Sequence, residues 1–134
     1  MILVDTNILI DVASGDPQWA EWSIDALAKA ATRGPTAINA IIYAEFSLGF
    51  TSEVACDAEI ARFGVTFLDM PKTAAFRAAK AFRAYRAKGG ARSAPLPDFF
   101  IGAHASALRA PLLTRDTGRY GAYFPEVELI QPKP

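Results

Sequence analysis

Short aliphatic runs alternate along the chain with longer stretches in which apolar residues recur every three or four positions. The aliphatic runs, Ile2–Asp5, Thr36–Ile38, Val65–Leu68, Pro111–Thr114 and Val127–Ile130, read as strands. A helix beginning near Thr6 carries Ile8, Leu9 and Val12 and ends in the turn Ser14-Gly15-Asp16. A second spans Pro17–Thr32, with Pro17 at its first position and Trp19, Trp22, Leu27 and Ala30 as its apolar stripe. Asn39 caps a third helix running to about Leu48 and closed by Gly49. Further helices are expected at Glu53–Phe63, ended by Gly64, at Pro71–Lys88, ended by Gly89-Gly90, and at Asp98–Arg109. Ser93–Pro97 reads as a loop and Gly118–Phe124 as a turn or short helix, and the tail 131–134 is expected to fray. Strands alternating with helices of ten or more residues define an α/β domain: a mostly parallel sheet of four to five strands with helices on both faces.

Length and composition narrow this picture. A chain of 134 residues and 14.4 kDa, 51% hydrophobic and 21% charged, makes one globular domain over 1–134 with a core of its own. A single cysteine, Cys56, excludes an intrachain disulfide and a cysteine-built zinc site, and it reads as a packing residue. Asn7, Asp11, Asn39 and Glu45 interrupt the apolar stretches, so none approaches the ~20 residues of a membrane span. The opening Met-Ile-Leu-Val-Asp has no basic flank or cleavage site, and a cytoplasmic location is the expectation.

The formal net charge of zero conceals a segregation of sign. Residues 1–69 hold ten acids against three bases, whereas residues 70–119 hold ten bases against only Asp98 and Asp116. Seven of those bases, Lys72, Arg77, Lys80, Arg83, Arg86, Lys88 and Arg92, fall where no acid intervenes. Such a run is either a solvated helix face or a surface for a polyanion.

Four carboxylates stand where carboxylates are costly. In a parallel α/β sheet ligands bind beyond the carboxyl ends of the strands. Asp5 follows Ile-Leu-Val directly, and Asp116 follows Leu112-Leu113-Thr114-Arg115. Asp98 opens a helix, where the dipole favours its charged form. Glu45 shares a helical face with Ile38, Ile41, Ile42, Phe46 and Gly49, and no Lys or Arg lies within 34–50 to pair with it. Asp5, Asp98 and Asp116 are each alone explained by helix capping, whereas Glu45, on a face turned toward the core, must be paired, protonated or bound to a cation. Together they repel, by roughly 4 kcal/mol for a pair ~4 Å apart at an effective dielectric near 20, unless something positive neutralises them. A hard divalent ion, Mg²⁺ or Mn²⁺, suits such an all-oxygen set. The lone His104 reads as a partly buried helix residue rather than a ligand.

These blocks resemble PIN-domain ribonucleases. Met-Ile-Leu-Val-Asp5-Thr6-Asn7-Ile8-Leu9-Ile10-Asp11 is similar to the opening of that family, and Asn39-Ala-Ile-Ile-Tyr-Ala-Glu45-Phe-Ser-Leu-Gly49 to its second block. Pro97-Asp98-Phe-Phe-Ile-Gly-Ala-His-Ala and Leu112-Leu-Thr114-Arg115-Asp116 match the third and fourth. The four occur in the family's order over nearly the whole chain, and the size and the Thr-Arg-Asp ending look most like the VapC toxins of bacterial toxin–antitoxin pairs. The resemblance implies a three-layer PIN fold and a metal-dependent endoribonuclease whose acidic cluster is Asp5, Glu45, Asp98 and Asp116, with Asp5, Asp98 and Asp116 holding one or two Mg²⁺ or Mn²⁺ ions. It implies that Thr114 and Asn7 support that cluster. Some relatives carry a further acid after the fourth block; here the chain reads Thr117-Gly118-Arg119-Tyr120.

A divalent ion in such a cluster can activate water and neutralise charge developing on a phosphodiester. Arg83, Arg86, Arg115 and Arg119 are the candidates for holding RNA. A small cognate antitoxin and a homodimer are the implied partners, with Trp19, Trp22 and Tyr85 as exposed aromatic candidates for an interface. The competing readings are a nucleic-acid- or protein-binding module without cleavage and a DNA-directed nuclease. A phosphotransfer fold such as a receiver or haloacid dehalogenase is disfavoured, since Asn7 stands where the latter needs a second Asp. Replacing Arg83 and Arg86 with Gln should weaken RNA binding and flatten its salt dependence in a filter-binding titration; an unchanged salt slope would remove both from the RNA contact.

Overall fold

The computed structural model of the chain describes residues 1–90, 96–116 and 118–133. Five strands, β1 (Ile2–Val4), β2 (Thr36–Asn39), β3 (Thr66–Leu68), β4 (Leu112–Leu113) and β5 (Leu129–Ile130), form one sheet. Its order is β3-β2-β1-β4-β5 and every neighbouring pair is parallel. Among the described residues the helices are α1 (Thr6–Ser14), α2 (Ala20–Arg33), α3 (Ala40–Ser47), α4 (Glu53–Phe63), α5 (Lys72–Ala87), α6 (Leu96–Leu108) and α7 (Arg119–Tyr123). The result is the three-layer α/β arrangement expected of the sequence.

Strand order explains where a site can form. From β1 the chain moves outward through β2 to β3, then crosses back to β4 and β5 on the other side of β1. The direction of winding therefore reverses between β1 and β4, and the connections leaving these strands part from one another. Register pairs Val4 with Leu113, so Asp5 and Thr114 emerge side by side at that opening. The Asp5 amide donates to the Leu113 carbonyl at 2.9 Å and keeps the pair aligned.

The core is built from strands apolar on both faces. Ile2, Leu3, Val4, Ala37, Ile38, Leu112 and Leu113 are buried, as a parallel sheet covered by helices requires. Helix α6 is covered almost all round, with Phe99 and every residue from Ile101 to Ser106 buried. Phe82 and Tyr85 of α5, Phe99 of α6, Tyr123 of α7 and the adjoining Phe124 form one aromatic cluster, with ring centroids 5.3–6.5 Å apart. Gly102 lets α7 approach this closely: a methyl group there would run into the Phe124 ring and press on Tyr120.

Most local signals behave as their chemistry dictates. Asn39 accepts the Ile42 amide at 2.9 Å, Ser52 accepts that of Ala55 at 3.1 Å, and Gly15 closes α1 in the left-handed conformation at φ 64°. Two readings change. Pro17–Trp19 is a turn, because the Asp16 carboxylate accepts the amides of Gln18 and Trp19, each at 2.9 Å, and α2 begins only at Ala20. Helix α6 starts at Leu96, so Asp98 lies within its first turn rather than at its cap. Residues 93–95 of the expected loop, Arg92 of the basic run, Thr117 and Pro134 lie outside the described residues.

Trp19, Trp22 and Tyr85, expected to be exposed, are each half-buried. Trp19 and Trp22 meet edge to face, and Tyr85 belongs to the aromatic cluster. The apolar side chains that do face solvent are led by Leu48, 87% exposed, Val54 and Phe76. His104 is fully rather than partly buried; its Nδ1 lies 3.0 Å from the Asn39 amide nitrogen, and burial pushes its pKa down, favouring the neutral ring. No helix among the described residues is long and apolar enough to cross a membrane.

Substituting Gly102 with Ala should destabilise the protein by about 1–3 kcal/mol through overpacking against Phe124. Urea unfolding at constant m-value measures this, and a loss below about 0.5 kcal/mol would show that the ring yields freely.

Candidate active site at the β1–β4 opening

Asp5 is the inner wall of the site. It is nearly fully buried at the end of β1, where it also caps α1 by accepting the Thr6 amide at 2.7 Å on Oδ1. Its Oδ2 accepts from the Thr114 hydroxyl at 2.7 Å and the Tyr120 hydroxyl at 3.1 Å, with the Asn7 amide at 3.4 Å. Burial pushes its pKa to about 6 against the lowering effect of the Thr114 hydrogen bond, and the charge of Asp98 adds to the rise. Tyr120, buried against these acids, has its phenol pKa raised and stays a donor.

Thr114 is the junction between strands. Fully buried, it donates to Asp5 and accepts the Asp116 amide at 3.0 Å, which fixes the chain just before Asp116. Asn7 bridges the same elements: its amide reaches Asp5 and Thr114, and its Oδ1 accepts the Arg115 amide at 3.2 Å. The Asp116 carboxylate accepts the Gly118 amide at 2.9 Å.

Glu45 sits half-buried on α3, and its Oε1 accepts the Thr6 hydroxyl at 2.6 Å. The core-facing face assigned to α3 is narrower than the sequence suggests. Ile42 and Phe46 are buried, Ile41 and Glu45 lie at the margin, and Ile38 belongs to β2. Glu45 thus avoids full burial by standing at the edge that faces the other acids.

Asp98, on the first turn of α6, completes the group. Burial raises its pKa to about 6 in spite of the opposing Arg119, and the charges of Glu45 and Asp116 raise it further. Arg119 Nη1 lies 2.8 Å from Asp98 Oδ2, and its guanidinium rests 5.6 Å from the Tyr85 ring centroid and 5.8 Å from that of Phe99. The four acids therefore sense one another electrostatically, yet each is engaged by its own donor. Among the described residues, no three acidic, His or Cys side chains converge closely enough to enclose an ion in this arrangement.

The candidate arginines separate. Arg119 is inside the acidic site. Arg115 grips Asp11 with two hydrogen bonds of 2.7 and 2.8 Å, beneath Trp19, and Asp11 is also held by Ser23. That pair, buried on its Asp11 side, ties the segment after β4 to α1. Arg83 and Arg86 are exposed on α5. Another flank of α5, bearing Arg77, Lys80 and Lys88, lines a groove of about 370 Å³ with Tyr123 and Phe124.

This geometry meets its counterpart in known proteins. The PIN domain family profile matches residues 2–124. The chain belongs to the PIN domain family. Among solved structures, this PIN domain superposes on a chain of VapBC2 from Rickettsia felis, bound to a promoter DNA fragment, with a TM-score of 0.77, 21% identity and coverage of 99% of this chain and 100% of the other. A toxin–antitoxin complex from Klebsiella pneumoniae gives 0.65 at 28% identity, covering 95% of each chain. FitAcB from Neisseria gonorrhoeae gives 0.68 at 23%, covering 96% of each. Among curated protein sequences none matches. The PIN domain is thus VapC-like in fold over its whole described length.

Sequence reasoning missed Thr6 and Tyr120. Thr6 carries a signal, since a threonine beside a strand-end Asp can reach a second acid. Tyr120 carries none, because only the docking of α7 brings its hydroxyl to Asp5.

The folded pKa of Asp5 and of Asp98 stands near 6 against an ordinary 3.8. The folded apo protein therefore binds more protons than the unfolded chain between about pH 4 and 6, and these groups lose stability as pH rises through that window. Asp98→Asn in EDTA should remove up to about 2 kcal/mol of the fall between pH 4.5 and 7.5, at about 1.4 kcal/mol for each tenfold change in proton affinity. Urea midpoints at pH 4.5 and 7.5 test it, and equal falls in variant and wild type would refute the assignment.

Proposed function

We propose that this PIN domain is a metal-dependent endoribonuclease, the toxin of a toxin–antitoxin pair. The observation that carries the reading is electrostatic: the charges of Glu45 and Asp116 act on Asp98 and that of Asp98 on Asp5, so both aspartates resist ionisation beside the β1–β4 opening. Mg²⁺ or Mn²⁺ suits an all-oxygen set of this charge, and Asp5, Asp98 and Asp116 would hold it once their carboxylates turn from the donors that engage them now. When bound, such an ion supplies water activation and neutralises charge developing on the phosphodiester.

The chain's own residues do the rest. Thr114, Tyr120 and Asn7 hold Asp5 in one orientation, so its free energy of ordering is met before substrate arrives. The Thr6 hydroxyl aligns Glu45 at the rim. The exposed Arg83 and Arg86 meet the backbone of single-stranded RNA, while the exposed edges of bases are read from unstacked segments.

A partner is part of this reading. The superposed structures described above include a VapBC complex and a toxin–antitoxin complex. An apolar groove of about 510 Å³, lined by Ile10, Ala13, Phe46, Leu48 and Phe50 beside Glu45, would accept the apolar face of an antitoxin helix. A homodimer in the cytoplasm completes the proposal.

The test is incubation of the partner-free protein with total RNA in Mg²⁺, in Mn²⁺ and in EDTA. Discrete fragments should appear only with metal, and Asp98→Asn should slow cleavage at least about a hundredfold, the upper end of the loss for even an outer-shell partner of a metal. Intact RNA with folded, metal-loaded protein would overturn the reading in favour of a binding module or a DNA substrate.

A further inference from the structure

Arg119 occupies an unusual place for a basic residue at the mouth of a nucleic-acid site. Its guanidinium points inward, 2.8 Å from Asp98, and its side chain is only 25% exposed. Tyr85 and Phe99, from α5 and α6, form an aromatic shelf that orients it there. Arg119 is also the first residue of α7, one position from Tyr120, whose hydroxyl is fixed on Asp5. The backbone that carries the cation is therefore anchored to the acid site itself.

The positive charge in that position offsets repulsion among the acids. Asp98 faces Glu45 and Asp116, and no other Lys or Arg forms an ion pair with any of these acids among the described residues. One guanidinium offsets one of four carboxylates, leaving the group still net negative and still able to attract a divalent ion. Arg119 and such an ion would compete for the Asp98 carboxylate.

From this geometry we infer that Arg119 is the site's resident cation: it holds Asp98 in the metal-free protein and must let go before a divalent ion can engage that carboxylate. The inference rests on the metal reading above. It makes Arg119 a gate on metal loading rather than a distant RNA contact. The metal-free domain folds without a full charge penalty, and metal affinity is set by exchange against an internal ion pair.

Calorimetric titration of the full chain with Mn²⁺ tests this on wild type, Arg119→Gln, Arg119→Lys and Asp98→Asn. Arg119→Gln should bind Mn²⁺ about tenfold more tightly, the direction and scale expected from removing a screened unit charge beside the ligands. Arg119→Lys, which keeps the charge, should stay within about threefold of wild type on the same argument. Equal or weaker binding by Arg119→Gln would overturn the inference. Full Mn²⁺ binding by Asp98→Asn would instead overturn the metal reading. Should Arg119→Gln fail to fold, the wild-type Arg119 Nε resonance decides: it should move to the value of a solvated guanidinium at saturating Mg²⁺, and an unmoved resonance would refute release.

Discussion

Repulsion among carboxylates is the constraint around which the rest of this PIN domain is arranged. Parallel strands of apolar residues deliver Asp5 and the segment carrying Asp116 to the same opening, and α3 and α6 bring Glu45 and Asp98 to face them. Burial in such company disfavours ionisation. The surrounding residues answer it one carboxylate at a time: Thr114, Tyr120 and Asn7 on Asp5, Thr6 on Glu45, the Gly118 amide on Asp116, and Arg119 on Asp98. Remove the acids, and the hydroxyls of Thr114 and Tyr120 would be left buried without acceptors.

The same opening depends on the loop that leaves β4 staying in place. Two devices secure it. Asn7 accepts the Arg115 amide, and the Arg115 side chain forms a two-point pair with the buried Asp11 on α1. A buried carboxylate with a partner of fixed geometry is costly to break, because separation would leave a charge stranded in the core. Arg115 thus works as a clamp between α1 and the site. The basic residues of the chain divide accordingly: Arg115 and Arg119 pair with acids and Arg77 donates to Ser106, whereas Arg83, Arg86 and Lys80 lie open on α5.

Packing of α7 links core and site. The Gly102 gap admits Phe124 and Tyr120 against α6, and that contact places Tyr120 on Asp5 and Arg119 on Asp98. A short helix of five residues, unstable alone, acquires its position from the aromatic cluster beneath it. Site geometry here is a by-product of apolar packing, and a change in the core would be felt at the carboxylates.

Local chemistry in the sequence determined the strand–helix alternation, the cap at Asn39, the stops at Gly15 and Gly64, and the four acids in positions costly for carboxylates. Each of these depends on neighbours within a few residues, so a linear reading captures it. It failed at Pro17, where the Asp16 side chain captured the first amides and delayed α2, and at α6, where the helix began before Asp98. Strand order, the burial of Trp19 and Tyr85, and the engagement of Arg115 with Asp11 and Arg119 with Asp98 were decided only by tertiary structure. Those pairs join residues 104 and 21 positions apart, and a charge's partner across that distance follows from how helices pack on the sheet, which no local pattern encodes.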